Sequence, residues 1–544
     1  MRTQESENGS QLPVELWAES FRMLSVFHIK KISMTCRLFY DICLPFLFKS
    51  ISFSLGSRLG ERRSNLSEEL SDLKEQIEHF RAIASDARRA RLIRRSAFTY
   101  LWDLKRYAEG MGTRVTELKD ARIVFVDALA HSIPQLSGLR EIRLHIGKLD
   151  KKILHALNSL PNLDSMCFVN PRFGVHLLQP RLRPRHLAIE KTEDTYYQVV
   201  DPYLDKSAEL LDIFSVKLME SLKSCVLSYT PRLFRAFTRQ GNAAHLISLE
   251  IQVLLRDIAV FYSFLEVCPN LASLSVRLAR RDSGWQEPQL PHLPLSVIPR
   301  LKCLRGSGMI VKEFVPGRPV SDIQLVPEEW SGGGWMDVIE DIIHQVGQST
   351  GNVTNLYIQN ISLVPLPFLL ISAYLPALRK LSLNLGIYPP QNLYQKLSSF
   401  DIERIAAYED DLQNMGETYN DELARIEETL LVPPYIASEY MDLLEMVALK
   451  MINLPIGLEV LELKTVHCLD SSVMRERRCT LREAASLCNA MSIHCPGMKE
   501  LTVVKYGFDC FKFSWLKKEG SGWLPSLWKG SGDALQDLWN SDSP

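Results

Sequence analysis

One short pattern recurs along this chain and limits what it can fold into. It is Pro-x-(Leu/Met)-x-x-(Leu/Met)-x-apolar, present as PNLDSMCF (161–168), PNLASLSV (269–276), PALRKLSL (376–383) and PGMKELTV (496–503). PRLKCL (299–304) is a partial copy. LREIRL (139–144), LISLEI (246–251), VTNLYI (353–358) and LEVLEL (458–463) lack the proline, and RHLAIE (185–190) is a weaker variant. The L-x-L alternation has the period of a strand with one buried face. The apolar segments ahead of it, such as ILHALNSLPNL and FYSFLEVCPNL, have helical character and stop before the proline, which disfavours helical backbone in the residue before it. A single strand-plus-helix unit cannot bury its own apolar side. Successive units must therefore stack, which predicts a solenoid of parallel strands backed by helices.

Several of the intervals resemble leucine-rich repeats: Leu139 to Leu163 is 24 residues and Leu246 to Leu271 is 25. Other intervals are stretched by insertions. With the leucines pointing inward, the residues between them line the opposite, concave face of the sheet. These are Glu141, Arg143 and His145; Ser273, Ser275 and Arg277; Asn355, Tyr357 and Gln359; Lys380, Ser382 and Asn384; Glu462 and Lys464. The mixture of charges and aromatics suits a folded protein or peptide as target. Arg143, His145, Arg277, Tyr357, Gln359, Lys380, Asn384 and Lys464 are the expected contacts.

The start of the chain differs. Of the 40 residues from 12 to 51, LPVELWAESFRMLSVFHIKKISMTCRLFYDICLPFLFKSI, 24 are apolar, or 60% against 46% for the whole sequence. So short a segment cannot enclose that much apolar surface by itself. Pro13 suits the first turn of a helix carrying Leu16, Phe21 and Leu24. Ser25 suits the cap of a second, with Ile29, Ile32 and Cys36 at spacings of three and four. A third carries Leu38, Phe39 and Ile42 and is expected to end at Pro45. Three such helices make a docking element, to be covered by another domain, another chain or both.

The order Leu12-Pro13-x-Glu15-Leu16, then Phe21, Leu24, Ile29, Ile32, Cys36-Arg37 and Phe39, resembles an F-box. Phe39 stands where that family often has Trp, Thr35 where it often has Val, and Ser25-Val26 replaces its usual Asp-Pro. The resemblance implies binding to a Skp-type adaptor, and through it to a cullin scaffold. Its adaptor-facing residues would be Leu12, Pro13, Leu16, Phe21, Leu24, Ile29 and Ile32, with Phe39, Leu47 and Phe48 facing the rest of the chain. The fold class expected is α/β: a short all-α F-box-like domain, then a degenerate leucine-rich-repeat solenoid with long helical insertions. The expected divisions are a disordered 1–10, the F-box-like domain 11–55, a helical insertion 56–115, the solenoid 116–510 with a helical insertion at about 395–450, and a Trp-rich tail 511–544. The alternative is a scaffold of repeats without a ubiquitin role, its N-terminal helices a cap.

Two stripes interrupt the repeats. Leu66, Leu70, Leu73, Ile77, Phe80, Ala84 and Ala87 follow a coiled-coil-like alternation, as do Ile405, Tyr408, Leu412, Met415, Tyr419, Leu423, Ile426 and Leu430. Each needs a partner, either the solenoid itself or another helix. The five arginines of ARRARLIRR (87–95) follow an acidic segment and are expected on a solvated helix face. A net charge of -1 offers no field for nucleic acid or anionic lipid. The segment 327–337, PEEWSGGGWMD, is expected as a loop and the tryptophans of the tail as an end cap.

No phosphate-cradling, dinucleotide, zinc-protease or nucleophile-elbow motif occurs. His494-Cys495 at a repeat junction is expected in the core, and Cys479, Cys488 and Cys495 are too widely spaced for a zinc knuckle. No catalytic residue, metal or cofactor is expected. The eleven cysteines, scattered singly, suggest reduced thiols in the cytoplasm or nucleus. The longest apolar run, 362–378, carries three prolines and is too short to span a membrane.

Overall fold

The computed structural model describes residues 12–55, 66–100, 114–145, 148–149, 151–169, 172–173, 182–190, 222–227, 234–235, 238–239, 243–279, 290–326, 335–361, 365–385, 443–444, 446–448, 450, 452–466, 481–506, 511–518 and 522–529. The chain forms two compact units, 1–249 and 250–544.

In the first unit, three short helices come first: α1 (Val14–Arg22), α2 (Val26–Ser33) and α3 (Arg37–Leu47). The helix α3 runs two residues beyond Pro45, where the expectation had ended it. A proline this close to the C-terminus removes one hydrogen bond and leaves the last turn standing. The strand β1 (Ser50–Leu55) follows at once and pairs in parallel with β2 (Arg95–Tyr100), which pairs in parallel with β3 (Glu141–His145). The ladder continues, always in parallel, through Ser165–Val169, His186–Glu190 and Ser224–Leu227. The repeats thus begin at β1, earlier than residue 116. The strands SISFSL and RSAFTY use Phe53 and Phe98 as inward residues where later units use leucine.

The first heptad-like stripe belongs to the helix α4 (Leu66–Ser85). Leu73, Ile77, Phe80, Ile83 and Ala84 are buried, and the Phe80 ring lies 5.0 Å from both Phe53 and Phe98. Its neighbours also include the helix Arg114–Ser132. The stripe is therefore consumed inside its own unit. The second stripe, 405–430, lies outside the described residues.

In the second unit, parallel pairing runs from Ser273–Ala279 through Cys303–Gly306, Asp322–Leu325, Asn355–Ile361, Lys380–Leu385 and Val460–Val466 to Glu500–Tyr506. The buried set Leu274, Leu304, Ile323, Leu356, Leu381, Leu461 and Leu501 stacks strand over strand in that register. The helices Ile258–Glu266, Gly308–Phe314, Trp335–Gly347, Pro365–Tyr374 and Leu481–His494 alternate with these strands. The architecture is α/β and leucine-rich-repeat-like. Trp335 and Met336, expected in a loop, open a helix. Arg318, 1% exposed, donates to the carbonyls of Leu293, Pro294, Val297, Glu313 and Phe314. It ties an irregular segment to a helix end and forms no ion pair among the described residues, since satisfied donors make a buried guanidinium tolerable.

The tail closes this unit. Phe511–Lys518 pairs antiparallel with Glu500–Tyr506, and Gly522–Lys529 pairs antiparallel with it in turn. Trp515 and Trp523 have no exposed surface, and the Trp523 indole donates to Ser492 Oγ at 2.7 Å. Pro525 lies on the strand Gly522–Lys529, in register with Trp515. No described helix is long and apolar enough to cross a membrane.

Candidate functional site

The N-terminal trio has an inside and an outside. Inside, Phe21, Ile29, Ile42 and Cys43 form a small core, with Trp17, Ala18, Ile32, Phe39, Phe46 and Leu47 packed at its margin. Phe39 meets Trp17 and Phe21 edge-on at 5.0 and 5.3 Å. On α1 the inward positions are 17, 18 and 21, and on α2 they are 29, 32 and 33, as helical spacing demands. Pro13 opens α1, its carbonyl accepting from the amides of Leu16 and Trp17. Ser25 does not cap α2 with its side chain; its hydroxyl bonds His28 Nδ1 at 2.7 Å instead. Cys36 Sγ accepts from the Phe39 amide and caps α3.

Outside, Leu12 and Leu16 are each 52% exposed, Leu24 is 37% exposed, and Pro13 is exposed. Phe21 and Ile29, at 3% and 4%, are placed differently from the adaptor-facing expectation: they hold the trio together from within. Ile32 is half-buried against them. Sequence reasoning missed Val14, Met23, Val26, Phe27, Met34 and Leu38, all exposed, with Met23 and Met34 among the most open. The signal was available on α2. Once 29, 32 and 33 face inward, 27, 30, 31 and 34 fall on the outer side; the exposure of Val26 is not given by that spacing.

The arginine cluster fastens this trio to the repeats of its unit. The helix α5 (Ala87–Leu92) is capped by Asp86, whose Oδ1 accepts from the Arg88 and Arg89 amides. Arg88 pairs with Asp41 at 2.8 Å. Arg89 reaches the Tyr40 hydroxyl at 3.3 Å, and its guanidinium lies 5.5 Å from the Phe48 ring centroid. Arg94 donates to the Gly138 carbonyl, and Arg95 pairs with Glu141 at 3.0 Å. Four of the five arginines thus have structural partners, where a solvated face was expected. Phe48 meets Arg89 in this way, whereas Phe39, expected to face the rest of the chain, packs on Trp17 and Phe21 within the trio.

The polar face of each sheet is largely paired with itself. In the first unit, exposed Arg143 pairs with Glu190 at 2.7 Å, and the Cys167 thiol donates to the same carboxylate at 3.3 Å. Burial, with Arg143 second, lowers the His145 pKa. In the second unit the register aligns Gln324, Tyr357, Ser382, Glu462, Thr502 and Ser514 in one row across the strands. Glu462 accepts from Ser382 at 2.9 Å and lies 3.6 and 3.5 Å from the Lys380 and Lys464 ammoniums. Lys464 also sits 5.3 Å from the Tyr357 ring centroid, and Tyr357 shares a side-chain hydrogen bond with Asn384. Burial raises the Tyr357 pKa. Tyr357, Lys380, Asn384 and Lys464 are therefore brought together, with Gln359 paired to Asn384 in the register. Arg277 stands exposed and apart from that cluster. Lys380 and Arg277 keep the most exposed charge among the expected contacts of this unit.

Several of the described cysteines are held as thiols. Burial pushes the Cys167 and Cys268 thiols up to about 12 and Cys495 up to about 11. At neutral pH these remain thiols, and the thiolate is the reactive form. Among the described residues no group of three or more His, Cys, Asp or Glu side chains has metal-holding geometry.

No family model and no curated protein matches this chain. Among solved structures it is similar to the leucine-rich repeat-containing protein LegL7 from Legionella pneumophila. The identity is 12% over 73% of this chain and 88% of that one, with a TM-score of 0.30. The repeat assignment rests on the parallel strand ladders and their leucine stacks, not on that likeness.

Proposed function

We propose that this chain is the substrate-recognition subunit of a cullin-based ubiquitin ligase in the cytoplasm or nucleus. The trio α1–α3 docks a Skp-type adaptor, and the adaptor carries the cullin scaffold. The polar face of the repeats holds a target protein, with exposed Lys380 and Arg277 as contacts in the second unit and Arg143 in the first. The chain supplies proximity and no chemistry: holding a target beside a loaded conjugating enzyme replaces a bimolecular encounter.

One observation supports the reading above the rest. Leu12, Leu16 and Leu24 stay exposed beside a trio core that is already complete. A helical end cap would turn such residues onto the repeats. A contiguous apolar patch left in water marks a surface for a partner.

The test is binding of the full chain to a purified Skp-type adaptor. Leu16→Asp, at an exposed position, leaves the trio folded but buries an unpaired charge in the interface. That change costs about 3 kcal/mol or more, about a hundredfold in Kd. Loss of adaptor binding with an unchanged circular dichroism spectrum is the expected result. Wild-type chain that ignores the adaptor, or Leu16→Asp that binds it equally, leaves the non-catalytic repeat scaffold as the better account.

A further inference from the structure

The exposed side of α2 and the start of α3 carry charge of one sign among the apolar groups. Lys30, Lys31 and Arg37 are exposed beside Phe27, Met34 and Leu38. The Lys31 ammonium lies 4.3 Å from the Phe27 ring centroid, a cation–π contact on the outer surface of the helix. None of these three cations forms an ion pair among the described residues. The nearby carboxylates are engaged elsewhere: Glu19 with Arg22 at 3.2 Å, Asp41 with Arg88, and Asp86 with Arg89 at 3.1 Å. Among the described residues of the trio, Glu15 on α1 forms no ion pair. The α2–α3 edge is therefore basic as well as apolar, although the chain as a whole is close to neutral.

We infer that the partner of the trio is an acidic protein surface, with carboxylates opposite Lys30, Lys31 and Arg37 and an apolar floor beneath Phe27, Met34 and Leu38. This rests on the adaptor-docking reading and gives that partner its chemistry. A nucleic acid would answer the three cations and stack a base on Phe27, but it would offer Met34 and Leu38 no apolar floor. A purely apolar partner would strand three ammonium and guanidinium groups at its border. Only a surface with both characters satisfies both sets. Rim charges of this kind act on encounter more than on residence: they steer association, and salt screens them.

The experiment measures association and dissociation rates of full-length chain with a purified Skp-type adaptor, between low and high salt. The triple variant Lys30→Glu/Lys31→Glu/Arg37→Glu changes exposed side chains only, and its fold is checked by circular dichroism. At low salt its association rate is expected to fall at least about tenfold, with a flattened salt dependence and little change in dissociation. Lys30→Met/Lys31→Met/Arg37→Met, which keeps apolar stems without charge, is expected between the two. Adaptor binding with the same rate and salt slope in the triple variant overturns the inference and leaves the docking reading standing. Wild-type chain that fails to bind the adaptor overturns both. A single-stranded RNA oligomer that binds wild-type chain and loses binding in the triple variant, with the adaptor indifferent to the change, overturns the acidic-protein inference in favour of a polyanion.

Discussion

The two ends of this molecule are both rich in large apolar side chains, and they treat them in opposite ways. At the C-terminal end, an antiparallel hairpin puts Trp515 and Trp523 wholly out of solvent. At the N-terminal end, three helices bury Phe21, Ile29 and Ile42 but leave Leu12, Leu16, Met23, Phe27 and Met34 in water. A terminal unit whose only task is to close a repeat array follows the first pattern. The second pattern is the one that the proposed docking role requires.

The largest effect that tests this contrast is on stability. Trp515→Ala or Trp523→Ala empties a fully buried site and is expected to lower stability of the second unit by about 3–5 kcal/mol. A urea midpoint followed by limited proteolysis of the C-terminal region reads it. The matched changes at the other end, Phe27→Ala and Met23→Ala, should move stability by no more than about 0.5 kcal/mol. A large loss at Phe27 would mean that it is packed by its own chain. Phe21→Ala sharpens the division within the trio. It should cost about 3–5 kcal/mol, releasing the trio to protease while Leu16→Ala does not.

Smaller effects follow from single polar contacts. Trp523→Phe keeps most of the ring but loses the 2.7 Å bond to Ser492, and is expected to cost about 1 kcal/mol. Arg88→Ala removes an exposed pair with Asp41 and should cost under about 1 kcal/mol. Arg89→Ala takes away the Tyr40 and Phe48 contacts together. It should raise hydrogen exchange in α3 more than Arg88→Ala does, with the repeats unchanged. Equal protection in both variants would detach the arginine cluster from its fastening role.

Much of the repeat fold was legible because its signal is local. PNLASLSV and PALRKLSL place inward apolar residues two apart, Leu274 and Val276, Leu381 and Leu383, and the strands Ser273–Ala279 and Lys380–Leu385 fall on them. Where the inward residue is aromatic or the unit is short, the signal fades. Phe53 and Phe98 hid β1 and β2, and Asp322–Leu325 offers only Ile323 and Leu325. The trio was legible as three short helices, but not the orientation of each side chain, because the helices are apolar on more than one side. Phe21 and Phe27 are the same residue type, six positions apart, and only the packing of α3 decides which one is enclosed. The pairing of the polar face was beyond reach. Ser382 and Glu462 are 80 residues apart, and Arg89 and Tyr40 are 49 apart. Local spacing made the arginines look solvated and the row around Glu462 look free, since no local rule reports a partner brought in by topology.

The most direct measurement is side-chain oxidative footprinting of the full chain, alone and with a purified Skp-type adaptor. In the free chain Met23, Met34 and Phe27 should oxidise rapidly while Trp515 and Trp523 stay protected. Addition of adaptor should protect Met23, Met34 and Phe27 and leave the C-terminal tryptophans unchanged. Slow oxidation of Met23, Met34 and Phe27 in the free chain, or no protection on adding adaptor, would contradict an N-terminal surface held open for a second polypeptide.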